Sequence, residues 1–473
     1  MSRIACAVVL LIVGCDEGVT PSAGPGEDLG STGDLGAPTP LVVRASASCS
    51  PDNVVMGEVI LTLSNVADIR IEYGIDASYG RSTPTFTMPA GDSVRLPILG
   101  LTPGTANHLR VHASSPGGLT TDGDDLIVDC AALPTWMPSF QGLTGSAPES
   151  GYLLVSAGNL TAYGVAAIVD YTGRLYWYRA VTLIGDFRRT DEGNLVTYRG
   201  EHSAFDELTL AGEVVRSFTD PLASRGADNH ELIPLADHHA LLLGSNQRAV
   251  DTLAYIDGGS ANAAELENTI TEVDGDGGVV YHWSSTGQIT LAETTPDINL
   301  TVVPIDGEHA NSIDILPDGD LLLSLRHTDT VYKIDRQTGA IRWRLGGSRS
   351  DFTFVNDPSN GFSHQHFARK LVNGDLLLFD DGNLRSPPTS RVVQYTLDET
   401  ARTATVAWEH RHTPELSSFC CGSTTRLPSG NTLTAWGSTG VIELVDAMGK
   451  ALWELTIPGA IIYRAQPISA LYP

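Results

Sequence analysis

The sequence predicts an all-β protein, and three observations support this fold class. Long helical periodicity is absent, whereas short runs rich in Val, Ile, Leu and Tyr dominate. The 48 glycines and 26 prolines place turn signals every few residues between these runs. From residue 137 onward, two strand-like units alternate in strict order, with six copies of each. Since 473 residues are too many for one small core, we expect more than one domain.

Residues 1–15 predict a processing segment and not a part of the fold. Arg3 supplies a positive charge, and 4–13 form an apolar run of about ten residues, which is too short to span a bilayer as a mature helix. The run ends in Ile-Val-Gly-Cys, which resembles a bacterial lipobox with Cys15 as the lipidated residue. We therefore expect an exported lipoprotein, periplasmic or at the cell surface, that is anchored through Cys15. An ordinary secretion signal and a chance apolar start are the alternatives.

Two further segments precede the repeats. Residues 16–40 are rich in Gly, Ser, Thr, Pro and acidic side chains, so they predict a flexible linker. Residues 41–133 alternate apolar and polar side chains and predict a small β-sandwich. The stretch 99–113 resembles the region between strands E and F of a fibronectin type III domain, although Asn107 stands where that family usually has a corner tyrosine. We expect this domain to act as a spacer.

The chain has six cysteines, of which Cys6 leaves with the signal and Cys15 carries the lipid. An exported protein meets an oxidising compartment, where disulfides persist. Two candidate disulfides remain: Cys49–Cys130 and Cys420–Cys421. The first pair lies near the two ends of the predicted sandwich and would fix its terminal strands. The second pair is adjacent in sequence and would form a strained vicinal bridge.

The repeats within 137–473 predict a six-bladed β-propeller. One unit is the second strand of a hairpin, at 152–157, 194–199, 240–245, 320–325, 375–380 and 431–436. The other is an Asp/Gly turn that leads to an aromatic residue, namely Trp177, Phe218, Trp283, Trp343, Trp408 and Trp453. Each pair of units makes one four-stranded antiparallel sheet, and radial repetition protects the sheet edges. The first copy lacks a preceding inner strand, so we expect the C-terminal stretch 463–471 to complete the first blade.

The formal net charge of −27 limits the classes of partner. Nucleic acid and anionic membrane surfaces are disfavoured, because both repel an acidic protein. We expect contact with a membrane only through the N-terminal lipid anchor, and we assign no oligomeric state.

Polar residues recur at equivalent places on the predicted inner strands. Aligned on the turn residue of each hairpin, the positions ten residues upstream hold His309, His364 and Cys420, and those eight upstream hold His230, Asn311, His366 and Gly422. Extension of the register to the predicted closing strand adds Arg464 and Gln466 at the two equivalent positions. Ten and eight have the same parity, so these side chains share one face and one level. In a propeller, this level surrounds the central channel. We therefore expect four histidines to converge there, with Arg326 as a cationic companion.

Two of these histidines, His364 and His366, stand at the start of one predicted strand. Because side chains alternate along a strand, we expect both to point to the same face. Seven other histidines lack the register, and we expect them to be solvated or structural: His202, His238, His239, His282, His327, His410 and His412.

Several spaced motifs resemble the arylsulfotransferase family. They are Gly-Glu-His-Ala-Asn-Ser-Ile at 307–313, Leu-Arg at 325–326, Thr-Gly-Ala-Ile-Arg-Trp-Arg-Leu-Gly-Gly at 338–347, His-Gln-His at 364–366 and Leu-Phe-Asp-Asp-Gly-Asn at 378–383. The resemblance runs through about 152–473 and is strongest at 306–393. Bacterial members of this family are exported six-bladed propellers. They move a sulfuryl group from an aryl sulfate ester to a phenol through a sulfated histidine, without a nucleotide sulfate donor such as PAPS.

The resemblance implies small aryl sulfates and phenols as substrates, no cofactor, and roles for five residues. These are His366 as the nucleophile with His364 as its alternative, His309 and His230 as accessory histidines, and Arg326 as the arginine. Neutral imidazole can attack sulfur and expel a phenolate, and a cation can stabilise the charge of the sulfuryl oxygens. We expect Asn311 and Arg464, which share the register, to bind substrate.

Two other classes of function stay open. Imidazoles from three blades could hold a divalent ion in a metal hydrolase or lyase. No carboxylate stands in the same register, so we assign no metal ligand. A non-catalytic surface propeller for binding or adhesion is the other alternative.

Overall fold

The computed structural model describes residues 43–145, 149, 151–160 and 163–473. The predicted signal segment, Cys15 and the linker lie outside the described residues. Within these residues the chain is all-β, as the sequence predicts, with strands and short 3₁₀ turns but no α-helix. In the same part of the chain, no helix is long and apolar enough to cross a membrane.

The first strands make up two sheets that share one core. The strands are β1 (Val43–Cys49), β2 (Met56–Leu63), β3 (Ala67–Gly74), β4 (Arg81–Ser82), β5 (Phe86–Met88), β6 (Gly91–Leu99), β7 (Ala106–Ser114), β8 (Thr120–Asp122) and β9 (Leu126–Asp129). One sheet has the order β1-β2-β6, and the other has the order β4-β3-β7-β8, with β5 on β3 and β9 on β7. Alternating apolar residues such as Val59 and Ile71 fill the space between them.

A disulfide joins the end of β1 to the residue after β9. Cys49 and Cys130 have Cα atoms 5.4 Å apart, within the usual range for a bridge. Asn107, at the position of the corner tyrosine, is buried, and its amide accepts from Thr102 N–H at 2.8 Å and donates to Thr102 O at 2.9 Å. The fibronectin type III assignment stays a prediction.

The remaining strands carry the repeats. They are β10 (Gln141–Gly145), β11 (Tyr152–Gly158), β12 (Gly164–Asp170), β13 (Leu175–Val181), β14 (Phe187–Arg189), β15 (Leu195–Arg199), β16 (Ala204–Leu208), β17 (Val214–Phe218), β18 (Ala227–Pro234), β19 (Ala240–Val250), β20 (Ala263–Val273), β21 (Val279–Ser284), β22 (Ala310–Ile315), β23 (Leu321–Leu325), β24 (Thr330–Ile334), β25 (Ile341–Gly346), β26 (Thr353–Val355), β27 (His366–Lys370), β28 (Leu376–Asp380), β29 (Arg391–Asp398), β30 (Thr403–His410), β31 (Ser423–Arg426), β32 (Thr432–Ala435), β33 (Val441–Val445), β34 (Ala451–Thr456) and β35 (Ile461–Ile468). The 3₁₀ turns are Gly200–His202, Ala236–His238, Leu291–Glu293, Arg326–Thr328 and Gly437–Thr439.

In the described part of the chain, these strands form six sheets. Their orders are β13-β12-β11-β35, β14-β15-β16-β17, β18-β19-β20-β21, β22-β23-β24-β25, β26-β30-β29-β28-β27 and β10-β34-β33-β32-β31. Each predicted hairpin strand is the second strand of its sheet, and each predicted aromatic lies on the strand two further out. The number and order of sheets are those expected of a six-bladed propeller, whose radial arrangement stays a prediction.

The C-terminal strand completes the first repeat sheet, as predicted. β35 pairs with β11 in antiparallel register, with Val155 opposite Ala465 and Leu154 opposite Gln466. The sheet therefore combines residues from both ends of the repeat region. This pairing places Tyr463 and Arg464 beside strands that lie more than two hundred residues earlier in the chain.

Removal of β35 is expected to cause aggregation. A chain that ends after residue 460 leaves the inner edge of β11 unpaired, and an open apolar edge pairs with other chains. We expect a lower melting temperature and soluble aggregates in light scattering. A truncated chain that stays monomeric and melts like the full chain would contradict the closure.

The sandwich packs directly against the repeats. Asn53 Nδ2 donates to Tyr178 O at 3.0 Å, and Leu99 N–H donates to Tyr472 OH at 3.1 Å. Val54 and other apolar residues of the sandwich share cores with repeat strands. The described residues from Val43 to Pro473 therefore belong to one compact unit, and the role of the sandwich as a spacer stays a prediction.

Candidate functional site

The candidate site forms where β27 begins. His366 is the first residue of β27, and its ring is buried. Its Nδ1 lies 2.7 Å from Asp381 Oδ2 and 3.1 Å from the carbonyl oxygen of His364. The carbonyl oxygen can only accept, so Nδ1 carries the hydrogen and Nε2 the lone pair. The backbone N–H of Cys421 donates to this Nε2 at 3.3 Å, which agrees with the same tautomer.

The surroundings of His366 keep its imidazole neutral. Burial lowers the pKa of His366 well below its usual value of 6.5, and electrostatic interaction with Arg326, His309 and His230 lowers it further. These three side chains are thus close enough to act on the ring through charge. A neutral ring retains the nitrogen lone pair that nucleophilic attack requires.

His364 does not share the strand conformation of His366. Its φ is +54°, in the left-handed region, and β27 begins two residues later. Its Nδ1 lies 3.0 Å from Asn383 Oδ1, and its Nε2 lies 3.4 Å from Thr295 Oγ1 and 3.4 Å from Asp297 Oδ2. Strand alternation therefore does not relate the two histidines, because His364 precedes β27 and has a left-handed backbone, and the shared face of their rings stays a prediction.

The accessory histidines approach each other at the edges of neighbouring sheets. His309 precedes β22, and His230 lies within β18. Their ring centroids are 4.8 Å apart in an edge-to-face contact. His309 Nδ1 lies 2.6 Å from Asp306 Oδ2, and His230 Nδ1 lies 2.5 Å from Asp228 Oδ1. In both residues, as in His366, an Asp side chain lies within hydrogen-bond distance of Nδ1, so Nε2 is the nitrogen that can face a substrate.

Arg326 lies between these histidines and the segment around the cysteines. Its backbone N–H donates to His309 O at 2.9 Å, and its Nη2 donates to Asn383 Oδ1 at 3.1 Å and to Phe419 O at 3.0 Å. Its Nε has no hydrogen-bond partner among the described residues. The guanidinium is therefore positioned by neutral carbonyl groups, without a direct carboxylate partner, and keeps hydrogen-bonding capacity for an anion.

His327 joins the cluster, although the sequence predicts a solvated or structural role for it. The ring lies 4.6 Å from the His309 ring and 6.2 Å from the His364 ring. Its Nδ1 donates to the carbonyl oxygen of Asp306 at 2.6 Å. Burial is the main reason that the pKa of His327 falls to about 3. The register did not reveal this position because it covers inner strands only, whereas His327 lies in the 3₁₀ turn after β23. A structural role for His327 stays a prediction.

The two residues that we expected to bind substrate, Asn311 and Arg464, are buried and hydrogen-bonded within the protein. Asn311 is buried and donates from Nδ2 to Gln365 O at 2.7 Å, and its Oδ1 has no partner among the described residues. Arg464 is buried and forms ion pairs of 2.7 Å with both Asp186 and Glu231. The prediction that Arg464 binds substrate is not supported by this geometry, because its buried guanidinium is already paired with two carboxylates, which the register does not reveal.

The adjacent cysteines are free thiols, so the predicted Cys420–Cys421 bridge is wrong. Their Sγ atoms are 2.9 Å apart, whereas a disulfide bond measures about 2.05 Å. Neighbouring Cα atoms lie about 3.8 Å apart across a trans peptide, which is shorter than a relaxed bridge allows. Instead, the backbone of this segment hydrogen-bonds to site residues. Cys421 N–H donates to His366 Nε2, and Phe419 O accepts from Arg326 Nη2.

The arrangement suits transfer of a small anionic group. A neutral imidazole presents Nε2, a guanidinium lies within electrostatic range, and further histidines can donate or accept protons. The register also missed Asp306, which lies in the loop before β22 and brings a carboxylate next to His309 and His327. These three residues are the group that could hold a metal ion among the described residues.

Comparison with known proteins gives one family match. The family model described as Arylsulfotransferase (ASST) matches residues 147–458. No curated protein matches the chain. Among solved structures, a protein of unknown function from Bacteroides caccae is 16% identical, with 68% of this chain and 100% of that chain covered and a TM-score of 0.44. A virginiamycin B lyase from Staphylococcus aureus is 10% identical, with 76% and 93% covered and a TM-score of 0.32.

Proposed function

Because the chain belongs to the arylsulfotransferase family, we propose that it moves a sulfuryl group from an aryl sulfate ester to a phenolic acceptor through a sulfated His366. The observation that carries the proposal is the environment of His366. Its ring is buried and neutral, Nδ1 is fixed by Asp381, and the lone pair of Nε2 accepts a long hydrogen bond of 3.3 Å from Cys421 N–H, which attack on sulfur replaces. Metal-free nucleophilic catalysis needs this combination.

In the first half-reaction, Nε2 of His366 attacks the sulfur of the aryl sulfate. The nitrogen–sulfur bond forms as the bond between sulfur and the aryl oxygen breaks, and the phenolate leaves with the electron pair. Arg326 stabilises the negative charge of the sulfuryl oxygens, and the Nδ1–H of His366 donates to Asp381 as positive charge develops on the ring.

In the second half-reaction, a phenol attacks the sulfur of the sulfated ring. A neighbouring histidine accepts the phenol proton, and His309 and His230 are the candidates on this face. The nitrogen–sulfur bond breaks, and its electron pair restores neutral imidazole. The group has moved between two oxygens of similar basicity, so no nucleotide and no resident cofactor is required.

The assay that tests this function uses a chromogenic aryl sulfate with and without added phenol. We expect release of the coloured phenol to accelerate when the acceptor is present, and to persist after treatment with a chelator. Loss of turnover on chelation that returns with a divalent ion would favour the metal hydrolase or lyase. No turnover with any aryl sulfate would favour the binding or adhesion platform.

The pH dependence of the first half-reaction follows from the low pKa of His366. A histidine that attacks must be unprotonated, so its reactivity persists as long as the pH stays above its pKa. Since burial, Arg326, His309 and His230 all lower the pKa of His366, we expect donor cleavage to keep its rate from pH 8 down to about pH 6. A stopped-flow burst of phenolate checks this. An apparent pKa near or above 6.5 in the burst rate would contradict it.

The location of the enzyme is part of the proposal. Export and lipidation at Cys15 place the site outside the cytoplasm, and the supporting observation is the apolar run that ends in the lipobox-like Ile-Val-Gly-Cys. The partners are small aryl sulfates and phenols, and the net charge of −27 disfavours binding to nucleic acid.

A further inference from the structure

Three partly exposed residues of the histidine cluster have the side chains of a metal-binding site. Asp306, His309 and His327 each offer one ligand atom, and these atoms all lie within 4.8 Å of one another. The side chains are 36%, 27% and 12% exposed, so an ion can reach them from solvent. Two imidazoles and one carboxylate are the donor set of many sites for late first-row divalent metals.

The backbone holds these three residues close together before any ion binds. Asp306 and His309 lie in the loop before β22, and His327 lies in the turn after β23. The two strands pair, and Ala310 lies opposite Leu325. Two further hydrogen bonds join the flanking segments, from Arg326 N–H to His309 O at 2.9 Å and from His327 N–H to Glu308 O at 3.0 Å. A ligand set on joined strand ends loses little conformational freedom when it binds an ion.

The distances suit a small ion after a modest shift. The Nδ1 atoms of His309 and His327 are hydrogen-bonded to Asp306 Oδ2 and to the carbonyl oxygen of Asp306, so their Nε2 atoms are the nitrogens that would bind the ion. One ligand atom from each of the three residues lies within 4.8 Å of the others. Zinc bonds to nitrogen and oxygen measure about 2.0–2.2 Å, so tetrahedral ligand atoms stand roughly 3.4 Å apart. The His230 ring, 4.8 Å from His309, lies beside the set and can supply a fourth ligand in place of water.

We propose that Asp306, His309 and His327 bind a divalent transition-metal ion, for which Zn²⁺ is the probe, and that the bound ion blocks the proposed sulfuryl transfer. The block follows because coordination takes His309 out of proton transfer and adds an ion beside the path of the substrate. This second part rests on the proposed function, whereas the metal site itself does not.

The test of the site is calorimetric titration of the chelator-treated full chain with Zn²⁺. We expect one ion per chain, with affinity weakened at least about tenfold in Asp306→Asn and in His327→Gln. The matched control is His238→Gln, because His238 is 52% exposed and lies outside the cluster. No binding by the unmodified chain, or equal affinity in all four proteins, overturns the proposal. Two ligand variants are used, so that if one of them misfolds the other still tests the site.

The second arm measures turnover of a chromogenic aryl sulfate with and without Zn²⁺. We expect Zn²⁺ to inhibit turnover in the unmodified chain and in His238→Gln. In His327→Gln, we expect the same Zn²⁺ concentration to lower turnover by a smaller factor. Bound zinc with unchanged turnover overturns the block. Zinc binding in a protein without any transfer activity removes the proposed function and the block together, and the metal site stands on its own.

Discussion

His366→Ala is expected to abolish both half-reactions. The substitution removes the nitrogen that attacks sulfur, and no other imidazole of the described site combines full burial with an Nδ1 fixed by a buried carboxylate. Neither phenolate burst nor transfer to an acceptor should then exceed the uncatalysed reaction. Rapid-quench measurement with a chromogenic aryl sulfate separates the two half-reactions.

The control for this prediction is His364→Ala, the alternative nucleophile. His364 packs against Asn383 and Thr295, so its loss should slow the reaction without preventing sulfation of the enzyme. Melting curves of both variants show whether each remains folded, since both residues are buried. If His366→Ala still becomes sulfated and His364→Ala does not, the two roles are exchanged.

Arg326→Ala is expected to slow turnover by about a hundredfold or more. Removal of one hydrogen-bond donor that points at the oxygens of a transferring group lowers kcat by about this factor. The guanidinium is held by Asn383 Oδ1 and Phe419 O, so its position does not depend on the substrate. Arg326→Lys should recover only part of the rate, because an ammonium cannot reproduce the planar fork of donors.

The matched control for Arg326 is Arg342→Ala. Arg342 is 50% exposed and pairs with Asp320 and Asp335 on an outer strand, far along the sheet from the turn that carries Arg326. It should keep the turnover of the unmodified chain. Equal loss of turnover in both variants would mean that a general loss of positive charge, and not a specific contact, slows the reaction.

The sequence predicted the strands well because their pattern is local and repeated. The period of two, a turn before each hairpin strand and the aromatic after each second turn recur six times, and each copy supports the others. Even the long-range pairing of β35 with β11 could be predicted, because the first repeat copy has no inner strand before it and the C-terminal stretch has the pattern of one. Repetition thus allowed the topology to be predicted without any contact information.

The site was predicted only in part, because its geometry departs from the regular strand. His309 and His364 have φ values of +57° and +54°, which break the alternation on which the register depends. The carboxylates on the three Nδ1 atoms come from −2, −3 and +15 positions relative to their histidines, so no single spacing reveals them. The position of His327 directly after Arg326 was the one available signal, since both residues lie in the same turn.

The most direct test of the central claim is the intact mass of the full chain after incubation with aryl sulfate alone. The account predicts an adduct of about 80 Da that maps to His366, disappears when phenol is added, and is missing from His366→Ala. Turnover that continues while neither the unmodified chain nor any variant carries the adduct would contradict the covalent mechanism.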